Sequence, residues 1–266
     1  MAPRTLALVT GASAGIGAAF ARALAKQGHD VALVARRLDR LEALAAELRQ
    51  GGVEAIPIQA DLSLVDAHLP VMAVLEARGR AVDVLVNNAG YSIPQMFTHT
   101  PWTAQRDFVM TLVMAVCGFS RAVLPGMIER RSGRIINVSS MTALSPGGAG
   151  HTLYPAAKSF VHKFSLSLDA EVRKQGVKVT CVIPGFTESE FASANGTADK
   201  MATSPRAFIM SAREVVDNTL RANERGHVVV IPGLHNQVAA GLMKYLPDAI
   251  TTPLIRSAAE KYRVKD

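Results

Sequence analysis

Thr10-Gly11-Ala12-Ser13-Ala14-Gly15-Ile16-Gly17 follows an apolar run that begins at Thr5, and a segment of helical period follows it at once. Strand, glycine-rich turn and helix in that order bring backbone amides and a helix N-terminus to one point, which suits a pyrophosphate. The glycines permit the tight turn, close approach of a ligand and close packing of helix on strand. The same letters contain Gly11-Ala12-Ser13-Ala14-Gly15, which matches the G-x-S-x-G nucleophile elbow of hydrolases. An elbow needs earlier strands and an earlier oxyanion-hole loop, yet only 12 residues precede Ser13. The nucleotide reading is retained.

Outward from this turn, short runs rich in Val and Ile alternate with longer segments of helical period, as in repeated βαβ units. Strands are predicted near Thr5 to Thr10, Asp30 to Ala35, Glu54 to Gln59, Asp83 to Val86, Arg134 to Val138, Val177 to Ile183 and His227 to Ile231. Helices are predicted to start near Gly15, Leu38, Leu64, Pro101, Tyr154 and Ala212. The strands are almost continuously apolar, as helices covering both faces of a sheet require. The expectation is a three-layer, doubly wound Rossmann fold with a seven-stranded, mainly parallel sheet. Residues 1–266 form one domain, with a substrate-loop region about 187–211 and a C-terminal tail about 232–266. That tail could cover the substrate cleft, join a subunit interface or lie on a membrane surface, and the first two are favoured.

With 266 residues, 49% of them apolar, the chain can bury a sizeable core. Cys117 and Cys181 stand alone, with no metal-type cluster, and read as reduced, buried thiols in a cytosolic protein. No signal peptide precedes the first strand, and no uninterrupted apolar run appears long enough to span a bilayer, so a cytoplasmic protein with no integral membrane segment and no bound metal is expected. The net charge of +7 is dispersed and the aromatics are few, which argues against nucleic acid. Arg130, Arg131 and Arg134 read as solvated surface, whereas Arg36, Arg37 and Arg40 lie where a phosphate would.

About 20 residues beyond such glycines, the second strand of an NAD site ends in a carboxylate for the ribose 2′-hydroxyl. Here Ala35 holds that place, followed by Arg36 and Arg37. A guanidinium can fork onto a 2′-phosphate that no carboxylate repels, so NADP(H) is favoured over NAD(H), with Arg36 the first choice of ligand.

Tyr154-Pro155-Ala156-Ala157-Lys158 places a phenol and an ammonium four apart, on one face of a helix. A cation beside a phenol pulls its pKa down from about 10 and suits it to general acid and base work.

Asn87-Asn88-Ala89-Gly90 after the fourth strand, Ser140 after the fifth, Tyr154 with Lys158, and Pro184-Gly185 after the sixth complete the pattern. In this order the chain resembles the short-chain dehydrogenase/reductase family from about Thr5 to Ile231. The resemblance implies cofactor contacts from Gly11, Ser13, Ile16 and Gly17, from Asp61 and Leu62 beside the adenine, and from Asn88, Ala89 and Gly90. It also implies a nicotinamide clamp of Pro184, Gly185 and Thr187. Ser140 would hold a substrate carbonyl oxygen, Tyr154 protonate it, and Lys158 bind the nicotinamide ribose. Tyr154 follows Ser140 by 14 residues, about one more than the family spacing. Leu112 stands where many members have an asparagine that helps hold a water, largely through its main-chain carbonyl, which leucine also has.

The implied reaction is hydride transfer between NADP(H) and a small-molecule carbonyl or secondary alcohol, in a homodimer or homotetramer. Ile93, Met96, Met141, Phe186, Phe191 and Met201 would border an apolar substrate pocket, and His151 and His162 could touch it. A protein that binds NADP(H) as sensor or structural ligand is the competing reading.

Overall fold

The structure is a computed structural model and describes residues 4–188, Glu190 and residues 206–262. Phe191 and Met201 lie outside the described residues.

Seven strands form the main sheet: β1 (Leu6–Thr10), β2 (Asp30–Ala35), β3 (Ala55–Gln59), β4 (Val82–Asn87), β5 (Gly133–Val138), β6 (Val177–Val182) and β9 (Val229–Val230). Their order is β3-β2-β1-β4-β5-β6-β9, and every pairing is parallel. Two further strands, β7 (Thr187–Glu188) and β8 (Met210–Ser211), pair separately. The helices are α1 (Gly15–Lys26), α2 (Leu38–Gln50), α3 (His68–Glu76), α4 (Trp102–Val109), α5 (Ala115–Glu129), α6 (Leu153–Val172), α7 (Ala212–Glu224), α8 (Leu234–Tyr245) and α9 (Asp248–Tyr262). This is the predicted doubly wound architecture.

Every residue of β1 is buried, because helices cover both faces of the sheet. One core layer joins Phe20, Leu24, Leu33, Leu41 and Val215; the other joins Leu75, Leu85, Phe119, Met127 and Val177. Strand order reverses between β1 and β4, and the crevice above their C-terminal ends is where open α/β sheets take ligands. Thr10 ties those two ends together. Its hydroxyl donates to Val86 O at 3.2 Å and accepts from the amides of Asn88 at 3.0 Å and Ala89 at 3.1 Å.

Three boundaries differ from expectation. Helix α3 begins at His68 rather than near Leu64, because Asp66 adopts φ 53° and breaks the helical run. The last strand shrinks to Val229–Val230, at the sheet edge. The tail, whose apolar and polar residues alternate in sequence, forms two helices.

Within the 28-residue helical stretch Trp102–Glu129 an 18-residue window has a mean hydropathy of 1.8, long and apolar enough to cross a membrane, although charged residues interrupt the stretch and no uninterrupted apolar run of that length occurs in it. Its apolar side instead packs into the core through Phe108, Leu112, Phe119, Val123 and Met127. Its α-helical turns are interrupted by a π-helical segment at Met110–Met114, a widened turn frequent at functional sites.

Candidate active site

The glycine-rich turn is shaped for something larger than a side chain. Gly11 has φ +66°, and a Cβ there would lie 2.8 Å from Ala89 Cα and from Asn88 Nδ2. Asn88 braces the turn, donating from Nδ2 to Thr10 O at 3.0 Å and Gly11 O at 3.3 Å. Helix α1 starts with no side-chain cap and no acidic residue in its first turn, so its leading amides face the crevice with a positive partial charge. Such a cradle fits a phosphate diester.

At the end of β2 the two arginines diverge, as adjacent residues at a strand end do. Arg37 donates to Ser13 Oγ from Nη2 at 3.0 Å and Nε at 3.3 Å. Arg36 places its charge toward Asp61 and Tyr91. The Asp61 carboxyl lies below its usual range because it accepts from the Ser63 amide at 3.0 Å and the Ser63 hydroxyl at 2.8 Å, with Arg36 adding to the effect. Leu62 turns its side chain into the core.

Ser140, Tyr154 and Lys158 meet above β5. Ser140 caps a short 3-10 turn (Met141–Leu144), its hydroxyl accepting from the Thr142 amide at 3.2 Å. The Ser140 and Tyr154 hydroxyls hydrogen-bond to each other. Lys158 lies one turn along α6 and is buried. Its ammonium donates to Val138 O at 2.9 Å and stands 5.7 Å from the Tyr154 ring centroid. Ser139, the first of the paired serines, donates to Lys158 O at 2.8 Å and so anchors the helix rather than facing substrate.

The expected pull of the lysine on the tyrosine is outweighed. Burial pushes the Tyr154 phenol up to about 12, against the lowering contact from Ser140, and brings Lys158 down to about 8. Tyr154 is therefore a protonated donor at neutral pH. Folded Lys158 holds its proton less tightly than the unfolded 10.5, so the buried charge destabilises the protein fully below pH 8, and the penalty fades as pH rises to 10.5. Lys158→Met is expected to raise unfolding free energy at pH 7 by up to about 3 kcal/mol, and by under about 1 kcal/mol at pH 10. Urea unfolding at both pH values measures this. An equal gain at both would refute the buried charge.

Two contributors, Phe108 and Asn236, lack a sequence signal. Phe108 packs edge-on against Tyr154 at 6.5 Å and Tyr91 at 5.4 Å, fixing the ring. Leu112, in the π-helical turn, is buried, and a Cβ on Gly90 would meet its Cγ at 3.4 Å and Lys158 Nζ at 3.6 Å. Asn236 on α8 fills the space that a side chain at Gly185 would need, 2.3 Å from that Cβ position. It donates to Pro232 O at 2.7 Å, so the start of the tail braces the Pro184-Gly185 turn. Thr187 Oγ1 donates to Gly185 O at 3.1 Å. Ile93 lines a shallow recess with Phe97, Gln105, Thr152 and Leu153 beside the Tyr154 helix. Ile16 is partly buried and packs on the core beneath the turn.

The family model for short chain dehydrogenases matches residues 5–200. A protein of Myxococcus xanthus named as an uncharacterized oxidoreductase is 35% identical over 257 residues, spanning 97% of this chain and 97% of its own. An NADP-dependent 3-hydroxy acid dehydrogenase of Salmonella typhi is 40% identical over 199 residues, 73% of this chain and 77% of its own. Among solved structures, a short-chain dehydrogenase from Sphingobium yanoikuyae in complex with NADPH superposes with a TM-score of 0.80 at 32% identity, over 92% of this chain and 97% of its own. The sheet order, the glycine cradle and a match across most of the sequence agree: this chain belongs to the short-chain dehydrogenase/reductase family of oxidoreductases.

Proposed function

We propose that the protein is an NADP(H)-dependent reductase of hydrophobic ketones or aldehydes, working through Ser140, Tyr154 and Lys158. The observation that carries this reading is the hydrogen-bonded Ser140 and Tyr154 pair beside the buried ammonium of Lys158. Ser140 holds the carbonyl oxygen, and Tyr154 delivers a proton to it from its hydroxyl. Lys158 supplies positive charge next to the phenol and binds the nicotinamide ribose. The bound cofactor supplies the hydride.

Gly11, Gly15, Ile16 and Gly17 cradle the pyrophosphate, Asp61 and Leu62 flank the adenine, and Asn88, Ala89 and Gly90 border the central cleft. Pro184, Gly185 and Thr187 hold the carboxamide end. Ser13, Arg36 and Arg37 form the basic end of the crevice, which favours the 2′-phosphate. The NADPH and NADP relatives support that choice. Ile93, Leu153 and the exposed Phe186 give the substrate end its apolar character. Exposed Trp102 and Met114, with Phe160 stacked on Phe164, support an assembly of two or more copies.

NADPH oxidation followed by absorbance against aromatic, steroid-like and aliphatic carbonyls tests the function, and no turnover with any of them would favour the binder. Arg36→Asp removes the guanidinium and puts a carboxylate one residue beyond the place where ribose-recognising sites carry one. It is expected to lower kcat/KM for NADPH about 100-fold, the loss of one charged hydrogen-bond partner, and to reverse the NADPH preference. Unchanged kinetics with both cofactors would remove Arg36 from the phosphate site.

A further inference from the structure

Arg37 and Arg40 converge on one carboxylate. Arg37 Nη1 donates to Glu190 Oε2 at 3.1 Å, while Arg40 Nη1 donates to Glu190 Oε1 at 2.5 Å and Oε2 at 2.6 Å. The same Arg37 guanidinium holds Ser13 Oγ of the glycine-rich turn. Four groups from three distant parts of the chain thus make one anion site: the turn, the start of α2, and the segment just after β7. The anion in it is the protein's own. All three charged side chains remain about half exposed, so a solute reaches the site without unfolding anything.

We propose that Glu190 is an internal competitor for the cofactor's 2′-phosphate, and that Arg40 is a further ligand of that phosphate beside Ser13, Arg36 and Arg37. This rests on the NADP(H) reading above. A carboxylate and a phosphate monoester present the same chemistry to a guanidinium pair, two or three oxygens and a negative charge, and cannot share it. The phosphate carries the greater charge and more acceptor oxygens, whereas Glu190 has the advantage of being tethered at high effective concentration. NADPH therefore displaces Glu190 from the arginines when it binds. NADH has no group to exchange for it. Selectivity against NADH is set by the arginines, and Glu190 trims the affinity for the phosphorylated cofactor.

Exposed ion pairs are weak, so the competition is worth a modest factor. Fluorescence titration of wild type, Glu190→Gln and Arg40→Ala with NADPH and with NADH provides the test. Glu190→Gln is expected to tighten NADPH about fivefold and to leave NADH within about 1.5-fold, and the gap should shrink in 0.5 M salt. Arg40→Ala is expected to weaken NADPH about tenfold with NADH unchanged. Unchanged or weaker NADPH binding by Glu190→Gln, in a wild type that prefers NADPH, would overturn the competition alone. Equal wild-type affinity for NADPH and NADH would overturn the cofactor reading, and the competition with it.

Discussion

Tyr154→Phe is expected to lower kcat for carbonyl reduction about 1,000-fold while leaving the Kd for NADPH within about twofold. The phenol hydroxyl is the group hydrogen-bonded to Ser140, and burial keeps it protonated with a pKa of about 12, so it is the donor placed to reach a carbonyl oxygen on Ser140. The ring itself is held by other means: Phe108 edge-on at 6.5 Å, with Leu153 and Leu112 in the same apolar cluster. Phenylalanine keeps those contacts, so melting temperature should move by no more than about 2 °C and loss of rate reports on the proton. Single-turnover absorbance with saturating NADPH measures the step directly. Turnover within tenfold of wild type would end the assignment of Tyr154 as acid. Removal of the Ser140 hydroxyl, as Ser140→Ala, should give a smaller loss, about 100-fold, because the carbonyl is then misplaced while its proton donor remains.

What the sequence disclosed was local in origin. The glycine turn, the Asn-Ala-Gly segment and the Tyr154 to Lys158 spacing are backbone and one-turn features, so their placement follows once strand and helix are assigned. The direction of the Tyr154 shift was hidden because burial is a tertiary quantity: four-residue spacing brings the lysine near, but only packing against Phe108 and Leu112 takes the ring largely out of water. Arg36 and Arg37 are indistinguishable as letters, and the structure parts them, one toward Asp61 and the other onto Ser13. The contact of Arg40 with Glu190 spans 150 residues and has no periodic signal. Asn236 behind Gly185 was hidden likewise, in a tail whose alternating letters conceal a helix.

The second large effect falls on a residue that bears no functional group. Gly17 is buried in the first turn of α1, and a Cβ there would lie 2.3 Å from Gly11 O and 2.5 Å from Asn88 Nδ2. Gly11 O belongs to backbone held at φ +66°, and Asn88 Nδ2 is the donor that braces the same turn. Neither can yield as the far end of a flexible side chain would, so the methyl group of Gly17→Ala must push helix and turn apart. The displaced amides are those that face the pyrophosphate, and a shift of about 1 Å there is enough to cost binding about 100-fold. Gly17→Ala is therefore expected to raise the Kd for NADPH and NADH alike by about 100-fold, because both cofactors share the pyrophosphate. The equal loss sets it apart from Arg36→Asp, which acts on one cofactor only. Isothermal titration with each cofactor, alongside circular dichroism to show that the fold persists, measures the effect. A variant that stays folded and binds both cofactors as wild type does would show that the cradle is not where the pyrophosphate sits.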